Sequence, residues 1–204
     1  QDLKVFVEFP FQLYRNDPCW VPPIVSEELK VFDPKQNPVF DHANAFFFLA
    51  YNGQGQLVGR AAAIINDMDD SVLGIKKIRF GWFDFIDDLE VSSALFKEIE
   101  KVGRRFERSY MEGPMGFSNL DKVGVLTSGF DSIGTMASWH NHEYYEKHYT
   151  THGFKIEKEY VESRFPFSNI DISKAKKISN IVKNRYKYWI LNPRKKQEVM
   201  QHAD

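Results

Sequence analysis

Residues 45–65 read AFFFLAYNGQGQLVGRAAAII, two apolar runs, Ala45 to Tyr51 and Leu57 to Ile65, on either side of Asn52-Gly53-Gln54-Gly55-Gln56. Asn and Gly tolerate positive φ better than other residues, so the stretch predicts a β-hairpin. Working outward, the polar Asn66 to Gly74 reads as a loop and the aromatic-rich Ile75 to Ile86 as a long strand. Asp87-Asp88 supplies an N-cap for a helix. From Glu90 to Arg108 the apolar Val91, Ala94, Leu95, Ile99, Val102 and Phe106 recur at helical spacing, with charges on the opposite face. Tyr110 to Met115 fits a short strand, and the glycine-rich Gly116 to Met136 a loop. Asn141 is placed to cap a helix running to Thr151, which Gly153 closes in the left-handed conformation, and Phe154 to Phe165 reads as a further strand.

Upstream of the hairpin, Leu3, Val5, Val7 and Phe9 alternate, which predicts a strand ended by Pro10. Pro10 to Asn16 suits a helical turn, Trp20-Val21-Pro22-Pro23 must be extended, and Ser26 to Val31 is a short helix. Strands and helices in this order give an α+β fold. Downstream, Ile172 to Tyr188 has a helical period, with Ile172, Ala175, Ile178, Ile181 and Val182 on a face expected to bury. Tyr188 to Leu191 is strand-like, and Asn192-Pro193 suits the start of another helix.

At 204 residues with 43% hydrophobic and 15% aromatic residues, the chain has enough apolar material for one substantial core. No apolar run approaches the roughly 20 residues that span a bilayer, so the chain is expected to be soluble, with no membrane partner. The first residue, Gln1, leaves open whether residues precede it. A single cysteine, Cys19, excludes an internal disulfide and points to a reducing, cytoplasmic setting. The net charge of -1 hides nine Lys/Arg and no Asp/Glu between Lys174 and Lys196, so the rest of the chain carries -10. An acidic body argues against nucleic acid as a partner.

The element order resembles the GNAT superfamily of acyl-CoA N-acyltransferases, whose fold is a central mixed, mostly antiparallel sheet flanked by helices. The local resemblance is best at Asn141-His142-Glu143-Tyr144-Tyr145-Glu146-Lys147-His148-Tyr149-Thr150-Thr151-His152-Gly153-Phe154. Phe9-Pro10-Phe11-Gln12-Leu13-Tyr14, Asp17-Pro18-Cys19-Trp20-Val21-Pro22-Pro23, Val58-Gly59-Arg60 and Gly129-Phe130 are similar to a poorly characterised bacterial GNAT-like group. The resemblance covers Leu3 to Phe165. It implies a GNAT-like domain over residues 1–167 and a basic helical extension over 168–204, which resembles the start of a second unit and points to a second domain or a second copy as partner.

The resemblance also implies a chemistry: an amine attacks the thioester of acetyl-CoA or another acyl-CoA, a base takes its proton, and a tyrosine protonates the leaving thiolate. Tyr149 matches that tyrosine by its spacing to Gly153-Phe154; a Tyr packing one face of the helix is the alternative. Glu112 and Asp84, on predicted strands, are the base candidates by position. Asn141 matches the cofactor-contacting Asn, and Phe83 and Phe85 lie on the strand that borders the donor. One departure is plain. The junction Phe85-Ile86-Asp87-Asp88-Leu89-Glu90 has no glycine or basic residue where the family seats a diphosphate, and each carboxylate there repels phosphate by on the order of 1 kcal/mol or more. A module of this fold without donor binding, serving a structural or ligand-binding role, is therefore the second reading. His148 and His152 stand one turn apart, but no Glu follows the first as in the hydrolytic zinc motif, and no metal is expected. No Gly-x-Ser-x-Gly, phosphate-loop or Rossmann fingerprint is present.

Overall fold

A computed structural model describes residues 2–118, 120–169, 171–189 and 191–201. The chain forms two compact units, Gln1–Glu162 and Ser163–Asp204.

In the first unit a four-stranded sheet has the order β1 (Ala43–Tyr51), β2 (Leu57–Asn66), β3 (Lys77–Phe85) and β4 (Tyr110–Glu112). The first three strands pair antiparallel, and β3 pairs parallel with β4. The expected mixed, mostly antiparallel sheet flanked by helices is the architecture observed. The β1–β2 hairpin forms, with the left-handed residue at Gly55 (φ 76°). Asn52 instead acts through its side chain, whose Oδ1 accepts from the amides of Gln54 (3.0 Å) and Gln56 (2.9 Å).

Alternation along β2 divides the core. Ala61, Ala63 and Ile65 face helix α4 (Leu89–Arg105) with Leu95, Phe96 and Ile99, while Ala62 and Ile64 face the N-terminal helices with Phe6, Val7 and Phe32. Of the stripe read from the sequence, Leu95, Ile99 and Val102 are buried and Val91 and Phe106 pack against the core, whereas Ala94 is exposed and Phe96 takes its place on the buried face of α4. The Oδ1 of Asp88 caps it by accepting from the amide of Glu90 at 2.8 Å.

Several local expectations are corrected. Residues Asp2–Leu13 form a helix, α1, not a strand up to Pro10. Phe6, Val7, Pro10 and Tyr14 bury on one helical stripe, a period the alternating Leu3, Val5, Val7 and Phe9 conceals. Pro10 cannot donate to the carbonyl of Phe6 one turn back. Arg60 from β2 does so instead, its Nη1 lying 2.8 Å from that oxygen. The short helix near Ser26 to Val31 is α2 (Val25–Val31). The expected loop at Asn66 to Gly74 contains a turn of helix, α3 (Asp67–Ser71), whose Asp69 is buried against Arg79. Gly116 to Met136 has no helix or strand among its described residues; Asn119 lies outside them.

The late helix is α5 (Tyr144–Thr151), and Gly153 takes φ 79° as expected. Asn141 does not cap it. Its side chain holds the loop instead: Oδ1 accepts from the amide of Leu126 (2.6 Å), and Nδ2 donates to the carbonyls of Leu126 (3.0 Å) and His142 (2.9 Å). Phe154 to Phe165 forms no strand. Within the first unit this segment is held at its end by Glu162, whose carboxylate accepts from the Thr135 amide (2.9 Å) and hydroxyl (2.7 Å).

In the second unit α6 (Ile172–Tyr186) is capped by Asp171 and ends at Lys187, φ 59°. The face expected to bury is exposed: Ile172, Ile178 and Ile181 are 46%, 62% and 62% accessible. Tyr188, Trp189 and Leu191 are not in a strand, and Ile190 lies outside the described residues. The further helix, α7, spans Lys196–Met200.

Candidate active site

Strand β3 carries a bulge. Arg60 pairs with Asp84 and Ala62 with Gly81, so Trp82 and Phe83 both stand opposite Ala61. Trp82 takes φ 44°, a left-handed conformation that is strained for a bulky residue and that the packing around its buried ring must hold. The extra residue shifts the phase of the strand. Phe80 packs toward α4, and past the bulge Phe83 and Phe85 do so too, leaving Trp82 on the α1 side.

Asp84 thereby meets Arg60 and Tyr14. Arg60 Nε and Nη2 reach its Oδ2 at 2.8 and 2.7 Å, and Tyr14 donates to its Oδ1 at 2.8 Å. Tyr145 from α5 completes the group, its hydroxyl 3.0 Å from that of Tyr14 and 3.4 Å from Asp84 Oδ1. All four side chains are buried. Burial first, then the charge of Asp84, pushes the Tyr14 hydroxyl well above the ordinary phenol range. Burial, then Tyr14 and Asp84, does the same for Tyr145. Both phenols are therefore neutral donors across the physiological range.

Past Arg79, ahead of the bulge, β3 loses β4 as a neighbour. Met115 still donates to the Phe80 carbonyl at 2.8 Å, and Gly81 admits this approach because a Cβ there would lie 2.2 Å from the Met115 carbonyl oxygen. The edge further on is closed by tyrosines: the Phe85 amide donates to Tyr145 Oη (3.2 Å), and Tyr144 Oη donates to the Phe85 carbonyl.

A cavity of about 10 Å³ lies in this divergence, bordered by Phe83, Asp84, Pro114, Trp139, Asn141 and Tyr149 among others. Two of its bordering groups, Tyr149 Oη and Trp139 Nε1, are buried donors with no hydrogen-bond partner among the described residues. Burial, and secondarily the Asp84 charge, holds the Tyr149 hydroxyl well above its usual range. On the far side of Asn141 the surface opens into a cleft of about 790 Å³.

Tyr149, Asp84, Asn141 and Phe83 of the sequence-derived candidates therefore come together at one cavity. Phe85 is wholly buried, stacked on Tyr145 with ring centres 4.4 Å apart. Glu112 stands elsewhere: it pairs with Arg79 in register and its carboxylate meets Lys77 at 2.6 Å. Five residues of β3 separate that position from Asp84, roughly 16 Å at strand rise. Sequence reasoning missed Tyr14, Tyr145 and Trp139 as site residues; Arg60 and Tyr14 fell within quoted motifs, and only folding brings the two motifs together.

The histidines turn inward. His148 Nδ1 and His152 Nε2 both approach Ser92 Oγ, at 2.8 and 3.1 Å, and His148 Nε2 lies 2.9 Å from Asp87. The order Ser92, His148, Asp87 has the connectivity of a hydrolytic triad, but Ser92 is fully buried in the first turn of α4, so the cluster ties α5 to α4.

No protein-family model matches the chain. It is 35% identical over 144 residues to the bacterial ceramide synthase of Caulobacter vibrioides, which covers 70% of this chain and 37% of that protein. It is 33% identical over 153 residues to protein YghO of Escherichia coli, covering 75% and 39%. The chain thus spans under two fifths of the length of these relatives. A solved structure, "Putative acetyl transferase from Pyrococcus furiosus", is similar with a TM-score of 0.47 and 13% identity over 80% of this chain and 93% of that one, too distant to bear on the reaction. Among the described residues no helix is long and apolar enough to cross a membrane. The chain thus belongs with the bacterial ceramide synthase and YghO as their sequence relative, built on an α+β body with a mixed, mostly antiparallel sheet.

Proposed function

We propose that the chain carries the catalytic core of an N-acyltransferase that moves an acyl group from an acyl-CoA-type thioester to an amine. The observation that carries this reading is the Tyr149 hydroxyl, buried without a partner at a cavity that also borders Asp84, in the gap where β3 loses β4. The amine nitrogen attacks the thioester carbonyl carbon, a C–N bond forms and the C–S bond breaks. The amine proton passes to the Asp84, Tyr14 and Tyr145 network, and Tyr149 donates to the departing sulfur, so the products are an amide and a free thiol. Glu112, bound to Lys77, has no part in this assignment. The named relative supports it in kind: a ceramide is a fatty acid in amide linkage to a long-chain amino alcohol, so its synthase forms the same bond.

A module without donor binding is the second reading, favoured by Asp87 and Asp88 at the start of α4, where a diphosphate would be repelled. Thiol release from palmitoyl-CoA in the presence of a long-chain amine decides between them. Release that depends on both substrates is expected. No release, and no heat on titrating acyl-CoAs to millimolar concentration, would establish the second reading.

A further inference from the structure

We infer that Trp139 is a further catalytic residue, its indole N–H donating to the carbonyl oxygen of the acyl thioester while Tyr149 serves the sulfur; this rests on the transferase reading. Trp139 Nε1 and Tyr149 Oη border one cavity, and both are buried without a hydrogen-bond partner among the described residues. The other polar side chains at its border are engaged. Arg60 and Tyr14 hold Asp84, and Asn141 spends its amide on Leu126 and His142. His140 meets Asp17 at 2.8 Å, and the Tyr145 hydroxyl is taken up by Tyr14 and the Phe85 amide.

Two free donors call for an acceptor. An indole N–H only donates, so a protonated amine has nothing to offer it. The volume of about 10 Å³ suits a single oxygen atom. The thioester carbonyl oxygen is such an acceptor, and it gains charge when the amine adds to the carbon and the C=O electron pair moves onto it. When that adduct collapses the pair returns, the C–S bond breaks and the thiolate takes the Tyr149 proton. The phenol has one hydrogen and gives it to sulfur; the indole keeps its own and holds the oxygen through both steps. Asp84 does not oppose the charge, because Arg60 neutralises it at 2.7 Å. The indole is also fixed in place. Its ring meets that of Trp82 edge-on at 5.4 Å, and Lys122 Nζ lies over it at 5.7 Å. Ser138 before it bridges to Val123, whose amide donates to the Ala137 carbonyl at 3.0 Å. Trp82 is the residue that the bulge holds at φ 44°, so the strain in β3 falls on the side chain that braces the donor.

Two measurements on the full chain test the assignment: thiol release from palmitoyl-CoA with a long-chain amine, and the infrared carbonyl stretch of a bound, isotope-labelled palmitoyl-CoA analogue in which methylene replaces the sulfur. Benzothienylalanine in place of Trp139 keeps the bicyclic shape and removes the N–H. It is expected to lower kcat about a hundredfold at nearly unchanged donor KM, with the melting temperature unchanged. The carbonyl stretch of the bound analogue should move to higher frequency, as a lost hydrogen bond requires, and Trp139→Phe should reproduce both effects. An unchanged kcat or an unchanged stretch would overturn the role of Trp139. Transfer that survives loss of the N–H removes this assignment alone. No thiol release from the parent, with no binding of the analogue, removes the transferase reading and this assignment with it.

Discussion

Arg60 supplies to the first helix the hydrogen bond that Pro10 cannot make. The same guanidinium neutralises Asp84, so one buried side chain joins α1 to β2 and β3. Removing one partner from a buried ion pair costs about 3–5 kcal/mol because the other charge is stranded. Arg60→Met is therefore expected to destabilise the chain by that amount in urea denaturation. In a Pro10→Ala background, where the backbone amide returns, the loss should shrink by about 1 kcal/mol. A double-mutant cycle with no coupling would separate Pro10 from Arg60.

Tyr149 distinguishes chemistry from packing. Its hydroxyl has no partner among the described residues, so Tyr149→Phe removes no hydrogen bond and relieves a buried donor. Stability should stay within about 1 kcal/mol of the parent or rise, while turnover with acyl-CoA and amine falls at least about tenfold at unchanged donor KM. A fall in stability with no change in turnover would give the hydroxyl a purely structural role.

Gly81 is required by the approach of the chain after β4. Gly81→Ala pushes a methyl into the Met115 carbonyl, and either β3 or the segment Pro114 to Gly116 must move. A loss of at least about 2 kcal/mol is expected, read as a lower urea midpoint at unchanged slope.

The Ser92 cluster sets a pH dependence. Burial, then the neighbouring His148, lowers the His152 imidazole from its ordinary 6.5. A depressed folded value means that the unfolded chain takes the proton first, so the contribution is intact above about pH 6.5 and is lost as pH falls through the lower folded value. Melting temperatures measured from pH 8 to pH 5 should fall, and His152→Gln should fall less. Because His152 is partly exposed, the difference between the two curves should be small. Parallel curves would exclude His152 as a source.

Much of the sheet was legible because its signals are local. The hairpin rests on a five-residue loop, and α4 on a stripe that no strand period fits. The first helix was not legible, since Leu3 to Phe9 satisfies both periods and its proline is tolerated only because Arg60, 54 positions from Phe6, donates to the Phe6 carbonyl. Phe154 to Phe165 has strand-like composition but no neighbouring strand to pair with, and pairing is not encoded in the segment itself. At the site, position along β3 and α5 suggested Asp84 and Tyr149. Their surroundings were hidden because Asp84 is held by residues 24, 61 and 70 positions distant.

The bulge at Trp82 makes β3 unequally tolerant of deletion along its length. Substitutions along it alter one side chain at a time. Deleting the Trp82 codon would restore a regular pleat in which Phe83 stands opposite Ala61, Asp84 stays opposite Arg60, and Phe83 and Phe85 still face α4, so that the loss is confined to the indole on the α1 side. Deleting a codon elsewhere in β3 would slip that register by one and put the side chains beyond it on the opposite face, so the bulge is where the strand carries a residue to spare.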